Sequence, residues 1–183
     1  MSVPGHAALA PSPWVQRFSR LVPEGATVLD VACGSGRHVR WFHDRRCRVS
    51  AVDRDAAALG GLSGIAETVV ADIEDGPWPF VGRSFGAVIV TNYLWRPLLP
   101  TIVASVAEGG VLMYETFAAG NESVGKPSNP DFLLRPGELL EAIAGLRVVA
   151  FEDGFLSSPE RFVQRIVAVR EATGQRAPAR YPL

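Results

Sequence analysis

Short, almost continuously apolar runs alternate with helical patterns along this sequence, and that alternation constrains the fold most. Strands are expected at Thr27–Val31, Arg48–Asp53, Glu67–Asp72, Phe85–Thr91 and Val111–Phe117. Runs apolar at nearly every position suit strands covered on both faces, as in a parallel sheet. Helices are expected at Gly36–Arg46, with Val39 and Phe42 on one side, at Ala56–Leu62, at Pro97–Ala107 and at Pro136–Ala144. Gly109-Gly110 is expected to end the third of these. Two more apolar runs, Arg147–Phe155 and Phe162–Arg170, flank a connector too short for a helical crossover, so they are expected to pair antiparallel. The order implies an α/β doubly wound sheet of seven strands, mostly parallel with an antiparallel last strand and helices on both faces. Its irregular point is the missing helix between strands three and four.

The chain has 183 residues, 48% of them hydrophobic and 20% charged, which fits a single domain over 1–183 and excludes a largely disordered chain. Its formal net charge of −1 offers no basic excess for nucleic acid. No apolar run approaches the ~20 residues that span a bilayer. Met1–His6 lacks the basic-then-apolar pattern of a signal peptide. Cys33 and Cys47 form no disulfide framework, so a reducing, cytoplasmic compartment is expected. Residues 1–13 and 173–183 are expected to fray. Residues 118–135 form a long polar stretch without periodicity, and such loops are often functional.

In doubly wound sheets, ligands bind outside the carboxyl ends of the strands. Strand one runs into Asp30-Val31-Ala32-Cys33-Gly34-Ser35-Gly36 just before a helix. The two glycines permit a tight turn and a close approach of ligand to backbone. A glycine turn alone is weak evidence. A dinucleotide site would want a third glycine at position 39, where this chain has Val39. Asp30 before the turn would repel a pyrophosphate and attract a cation. Strand two ends on Asp53, where a carboxylate can grip ribose hydroxyls. Strand three ends on Asp72. Each aspartate alone fits a loop carboxylate or a helix cap; three at successive strand ends point to one ligand. That ligand has a ribose, a nearby positive charge and no pyrophosphate, a description S-adenosylmethionine (SAM) fits.

Val28-Leu29-Asp30-Val31-Ala32-Cys33-Gly34-Ser35-Gly36 resembles the first motif of the class I SAM-dependent methyltransferases. Val52-Asp53 resembles the second, and Val70-Ala71-Asp72-Ile73 the third. The resemblance covers about residues 14–170 and implies a Rossmann-like sheet in the family's strand order. The small layout is similar to the tellurite-resistance branch, whose members act on small molecules. By this resemblance Asp30, Ala32, Gly34 and Gly36 would hold the methionine portion of SAM. Asp53, flanked by Arg54, would accept from the ribose. Asp72 would accept from the adenine amino group, with the Ile73 backbone N–H at the ring. Arg54 fits a solvated side chain equally well. S-adenosylhomocysteine (SAH) would be the product.

Methyl transfer from a sulfonium needs alignment and exclusion of water more than a protein nucleophile. The acceptor is expected to approach past strand four, where Asn92 and Tyr93 are the positioning candidates. Trp95 is either a pocket wall or core packing. Glu115, at the end of strand five, is either a general base or amine-binding group, or the partner of Arg96 or another cation. The 118–135 stretch is expected to act as a lid hinged at Gly120 and Gly125, or to be a surface insertion. Trp14 and Phe18, at i and i+4, suggest a short helix that either closes over the cofactor or simply packs. His6, His38 and His43 lack metal-ligand spacing, so no metal is expected. Cys33 is expected to be a small buried residue and not a nucleophile. The chain lacks the Asn-Pro-Pro-Tyr pattern of adenine-N6 DNA methyltransferases, and it has no G-x-S-x-G elbow. The expected function is transfer of a methyl group to a small molecule, without nucleic-acid or membrane partners. A nicotinamide-dependent oxidoreductase and a non-catalytic SAM-binding protein are the rivals.

Overall fold

The computed structural model describes residues 10–174 and 179–183. Its strands are β1 (Thr27–Val31), β2 (Arg48–Asp53), β3 (Glu67–Val70), β4 (Phe85–Thr91), β5 (Val106–Phe117), β6 (Arg147–Ser157) and β7 (Glu160–Val169). They form one seven-stranded sheet in the order β3-β2-β1-β4-β5-β7-β6. The pairs β1/β2, β1/β4, β2/β3 and β4/β5 are parallel, whereas β7 runs antiparallel to β5 and β6. The helices are α1 (Pro13–Phe18), α2 (Arg37–Asp44), α3 (Ala56–Gly60), α4 (Leu99–Ala104) and α5 (Glu138–Ala142). This is the Rossmann-like doubly wound architecture expected from the strand pattern.

Alternation along each strand splits the core in two. Val28, Ala87, Ile89, Val111 and Met113 face the side covered by Trp14 and Phe18 of α1, Val39 and Phe42 of α2, and Leu59 of α3. Leu29, Val88, Val90, Leu112 and Tyr114 face the other side, with Leu99 and Ile102 of α4 and Leu139 of α5. Central strands buried on both faces need an apolar residue at almost every position, which is why their sequences show no alternation. The connection from β3 to β4 carries no helix. Trp78 and Phe80 of that connection instead pack edge to face, and Phe80 repeats this against Phe85.

Some boundaries depart from expectation. Gly109-Gly110 does not end a helix but lies inside β5. The helix stops earlier, where the Ser105 hydroxyl donates to the Thr101 carbonyl at 2.8 Å. The β4/β5 register then shifts by a bulge between Phe85 and Ala87. Gly109 takes a left-handed φ of 74°, and a Cβ on Gly110 would meet the Phe85 carbonyl at 2.9 Å, so both positions need glycine.

Among the described residues, parts of both ends make specific contacts. Ser12 is buried, and its hydroxyl caps α1 by accepting the Trp14 N–H at 3.2 Å. Near the other end, the Pro182 carbonyl accepts from Arg20 at 2.9 Å, and Arg147 stacks over the Tyr181 ring. Residues 1–9, with Met1–His6, and 175–178 lie outside the described residues.

Candidate active site

The turn after β1 is built around backbone that L-residues avoid. Ala32 has φ 52°, Gly34 53° and Gly36 77°. A Cβ on Gly36 would sit 2.4 Å from the Leu62 side chain, so that glycine also serves helix packing. A Cβ on Gly34 would meet nothing within 4 Å, which leaves open space where a ligand can approach the backbone. The Gly34 N–H donates to Asp53 Oδ2 at 2.8 Å, and the Asp55 N–H donates to Asp53 Oδ1 at 2.9 Å. Asp53 at the end of β2 thereby fixes the glycine turn after β1.

Asp30 lies beneath this turn and is buried. Its Oδ2 has no hydrogen-bond partner among the described residues. Burial above all, and the nearby Asp53 carboxylate, push its carboxyl up to about 7 against the opposing pull of Arg37. A buried carboxylate oxygen without a donor is costly unless a ligand supplies one.

Ala32, Asp53, Arg54, Asp72 and Ile73 line one cleft of about 130 Å³, together with Ala71, Glu74 and Tyr93. Asp30, Gly34 and Gly36 do not line it; they form the turn behind Asp53. Asp72 is exposed, and its Oδ1 accepts from the N–H groups of Glu74 at 2.9 Å and Asp75 at 3.3 Å. Those backbone donors hold its carboxyl below the usual range. Asp72 therefore caps its own turn with one oxygen and leaves the other available.

A second cavity of about 370 Å³ adjoins the first through the shared residues Arg54, Glu74 and Tyr93. Asn92, Leu94, Thr116, Phe117, Pro127 and Phe132 complete its wall. Asn92 takes a left-handed φ of 56°, which aims the chain after β4 across the strand ends. The Tyr114 hydroxyl, from the core, donates to the Tyr93 carbonyl at 2.8 Å and fixes that loop. The Tyr93 hydroxyl is buried without a partner among the described residues. Burial first, and then Glu74 and Asp72, push this phenol well above its ordinary range, so it stays a donor at neutral pH.

The structure corrects the catalytic reading of Glu115. Thr116 and Phe117 of β5 reach the second cavity, but Glu115 points to the opposite face. There it is buried 3.6 Å from both Arg161 and Arg165, and it accepts from the Ser12 hydroxyl at 3.2 Å. Glu115 is thus an ion-pair partner, though not for Arg96, which pairs with Glu138 at 2.7 Å. His38 belongs to the same polar cluster and accepts the Ser12 N–H at 3.1 Å. Burial first and then Arg37 lower His38 to about 3, which keeps it neutral.

The long loop walls the second cavity with Pro127 and Phe132, but it is tied at several points. Ala118 and Leu134 form a bridge. Asn121 is buried, donates to the Pro127 carbonyl at 3.0 Å and accepts the Phe162 N–H at 3.2 Å. Gly120 is pressed against Phe162, where a Cβ would come within 2.9 Å, so it is a packing position and not a free hinge. Trp95 packs against the core and lines neither cavity. Burial pushes the Cys33 thiol up, as do Asp30 and Asp53, so it does not ionise as a nucleophile would. Among the described residues no three His, Cys, Asp or Glu side chains group as a metal centre would need.

Sequence reasoning missed Glu74, the third acid of Asp72-Ile73-Glu74-Asp75, although it lines both cavities. Its signal was an acid two residues beyond a strand-end aspartate. Phe132 and Pro127 carried none, because their place depends on how the loop returns over the sheet.

A methyltransferase-domain family model matches residues 28–110. No curated protein matches the chain by sequence. Among solved structures, TehB from Haemophilus influenzae superposes with a TM-score of 0.67 at 18% identity, over 86% of this chain and 61% of that protein. This chain therefore spans less than two thirds of the Haemophilus protein. A TehB-like SAM-dependent methyltransferase from Corynebacterium glutamicum gives 0.63 at 19% identity, over 86% of each chain. An S-adenosylmethionine-dependent methyltransferase from Mesorhizobium loti gives 0.66 at 15% identity, over 84% of this chain and 95% of that one. By sequence over residues 28–110 and by fold over most of its length, the chain resembles the class I SAM-dependent methyltransferases, TehB-like proteins among them.

Proposed function

We propose that this protein is a SAM-dependent methyltransferase acting on a small molecule. The observation that carries the reading is the unpartnered, buried Oδ2 of Asp30 behind a glycine turn that Asp53 pins from the next strand. A cationic ammonium answers that oxygen, and a pyrophosphate does not. The residues present fit the cofactor. Asp30 would hold the ammonium of its methionine portion. The second lone pairs of the Asp53 oxygens would take ribose hydroxyls. The free Asp72 oxygen and the Ile73 backbone would meet the adenine in the cleft. When bound, SAM supplies the electrophilic methyl.

The chain's own contribution is alignment. Asn92 and Tyr93 would position the acceptor, with the protonated Tyr93 phenol as a hydrogen-bond donor. Pro127 and Phe132 of the loop would exclude water from the second cavity. The single domain, the absence of basic excess and two free, buried cysteines support a small-molecule enzyme of a reducing, cytoplasmic compartment. No helix among the described residues is long and apolar enough to cross a membrane. Isothermal calorimetry with SAH and NADH tests the reading. SAH is expected to bind with a Kd in the micromolar range, roughly −8 kcal/mol, and a preference for NADH would overturn it.

A further inference from the structure

We propose that the methyl acceptor is an amine with an apolar body, and that Glu74 binds its ammonium and takes its proton. The inference rests on the SAM reading above.

Three residues, Arg54, Glu74 and Tyr93, are shared by the cofactor-side cleft and the second cavity, so a methyl group passing between them crosses in front of these side chains. Glu74 is placed there by its own N–H, which donates to Asp72 Oδ1 at 2.9 Å. Its carboxylate forms no ion pair among the described residues and lies beside the Tyr93 hydroxyl. Glu67, Glu138 and Glu115 are instead held by arginines: Glu67 by Arg83, Glu138 by Arg96, Glu115 by Arg161 and Arg165. An acid without a cationic partner at a cavity junction is available to a cationic ligand.

The local charge has a sign. Asp53, Asp72 and Glu74 carry negative charge along the cleft, against Arg54 alone. Bound SAM, with one net positive charge, would not neutralise them. Such a junction draws in a cation and repels an anionic acceptor. The rest of the second cavity is mostly apolar, with Leu94, Phe117, Pro127 and Phe132 in its wall beside the polar Asn92 and Thr116. Ring faces beside a carboxylate suit an ammonium on an apolar body.

The chemistry balances. The bound ammonium gives its proton to the Glu74 carboxylate, as an N–H bond breaks and an O–H bond forms. The freed nitrogen lone pair attacks the methyl carbon. A new N–C bond forms, the S–C bond breaks, and its electron pair stays on sulfur. The product leaves as the methylated ammonium, and Glu74 returns its proton to water.

Tritiated SAM is supplied with N-methylbenzylamine, benzyl alcohol, benzyl mercaptan or phenylacetate as probes. Binding of the amine to the SAH complex is followed in parallel by calorimetry. Label is expected to enter the amine at least tenfold faster than the other three. Glu74→Gln is expected to lower kcat/KM for the amine at least tenfold and to weaken amine binding to the SAH complex at least fivefold. SAH affinity is expected to change less than threefold. If SAH binds but the amine is not preferred, or if Glu74→Gln leaves amine binding and turnover unchanged, this inference is overturned and the SAM reading stands. If SAH does not bind the native protein, both fall.

Discussion

The carboxylate of Asp53 accepts the Gly34 N–H at 2.8 Å, so the end of β2 holds the glycine turn after β1. One side chain thereby joins the geometry of the turn to the wall of the cleft. Asp53→Ala removes the acceptors of two backbone N–H groups, each loss worth ~1–3 kcal/mol. SAH affinity is expected to fall at least tenfold and Tm to drop. Asp53→Asn keeps one acceptor oxygen and is expected to lie between the two. Calorimetry and thermal melts check both, and unchanged SAH affinity in a folded Asp53→Ala protein would remove Asp53 from the site.

Asp30 ties ligand binding to pH. Its folded-state value of about 7 lies above the ordinary 3.8, mainly because burial disfavours the charge. For an acid raised on folding, the contribution to stability is fully present below about pH 4 and is lost as pH rises through about 7. A bound ammonium reverses this by favouring the carboxylate. SAH affinity is therefore expected to rise between pH 6 and pH 8, with a proton released on binding. That release appears as a dependence of the calorimetric heat on the buffer's ionisation enthalpy. Asp30→Asn is expected to flatten both the affinity profile and the proton release. It should also leave the free protein more stable than the native one at pH 8.

Much of this site was legible because it depends on strand ends. Asp30, Asp53 and Asp72 sit where near-continuous apolar runs stop, and a parallel sheet brings successive carboxyl ends to one edge. The seven strands were legible for the same reason. Glu115 was misplaced by one residue of alternation. Its strand end was read correctly, but the face it points to is decided by pairing with β7, which brings Arg161 and Arg165 under it. Gly109-Gly110 misled because a bulge and a helix stop use the same residues. The second cavity was illegible, since Pro127 and Phe132 reach it only through the contacts that fold the loop back.

Ala32 sits in the left-handed region, with φ 52°, and lines the cleft beside Asp53 and Asp72. An alanine tolerates this at some cost, whereas a β-branched side chain there is a genuine outlier. Ala32→Val is expected to destabilise the fold by ~1–2 kcal/mol and to weaken SAH binding, because its added methyls extend toward the cleft. Ala32→Gly is expected to keep SAH binding within about threefold (~0.6 kcal/mol). Denaturant unfolding with and without SAH separates the two effects. Equal stability of Ala32→Val and native protein would show that the turn relaxes away from this backbone.

Arg96 clamps the long loop to the sheet. Its guanidinium makes two bonds to Glu138, at 2.7 and 3.0 Å, and donates to the carbonyls of Asp131 and Leu133. Burial acts to raise the Glu138 carboxyl, but Arg96 and the Arg135 N–H outweigh it and hold the group at about 2. For an acid lowered on folding, the contribution is present above the ordinary 4.5 and is lost as pH falls toward 2. Arg96→Ala leaves a buried carboxylate without its main partner and frees two loop carbonyls. It is expected to cost ~3–5 kcal/mol, the usual range for breaking a buried pair. The loop is then expected to become sensitive to proteolysis between Glu122 and Lys126, ahead of global unfolding. Limited digestion at neutral pH, compared with Arg147→Ala at an exposed pair, provides the measurement. Cleavage no faster than in Arg147→Ala would mean that Asn121 and the Ala118–Leu134 bridge hold the loop without Arg96.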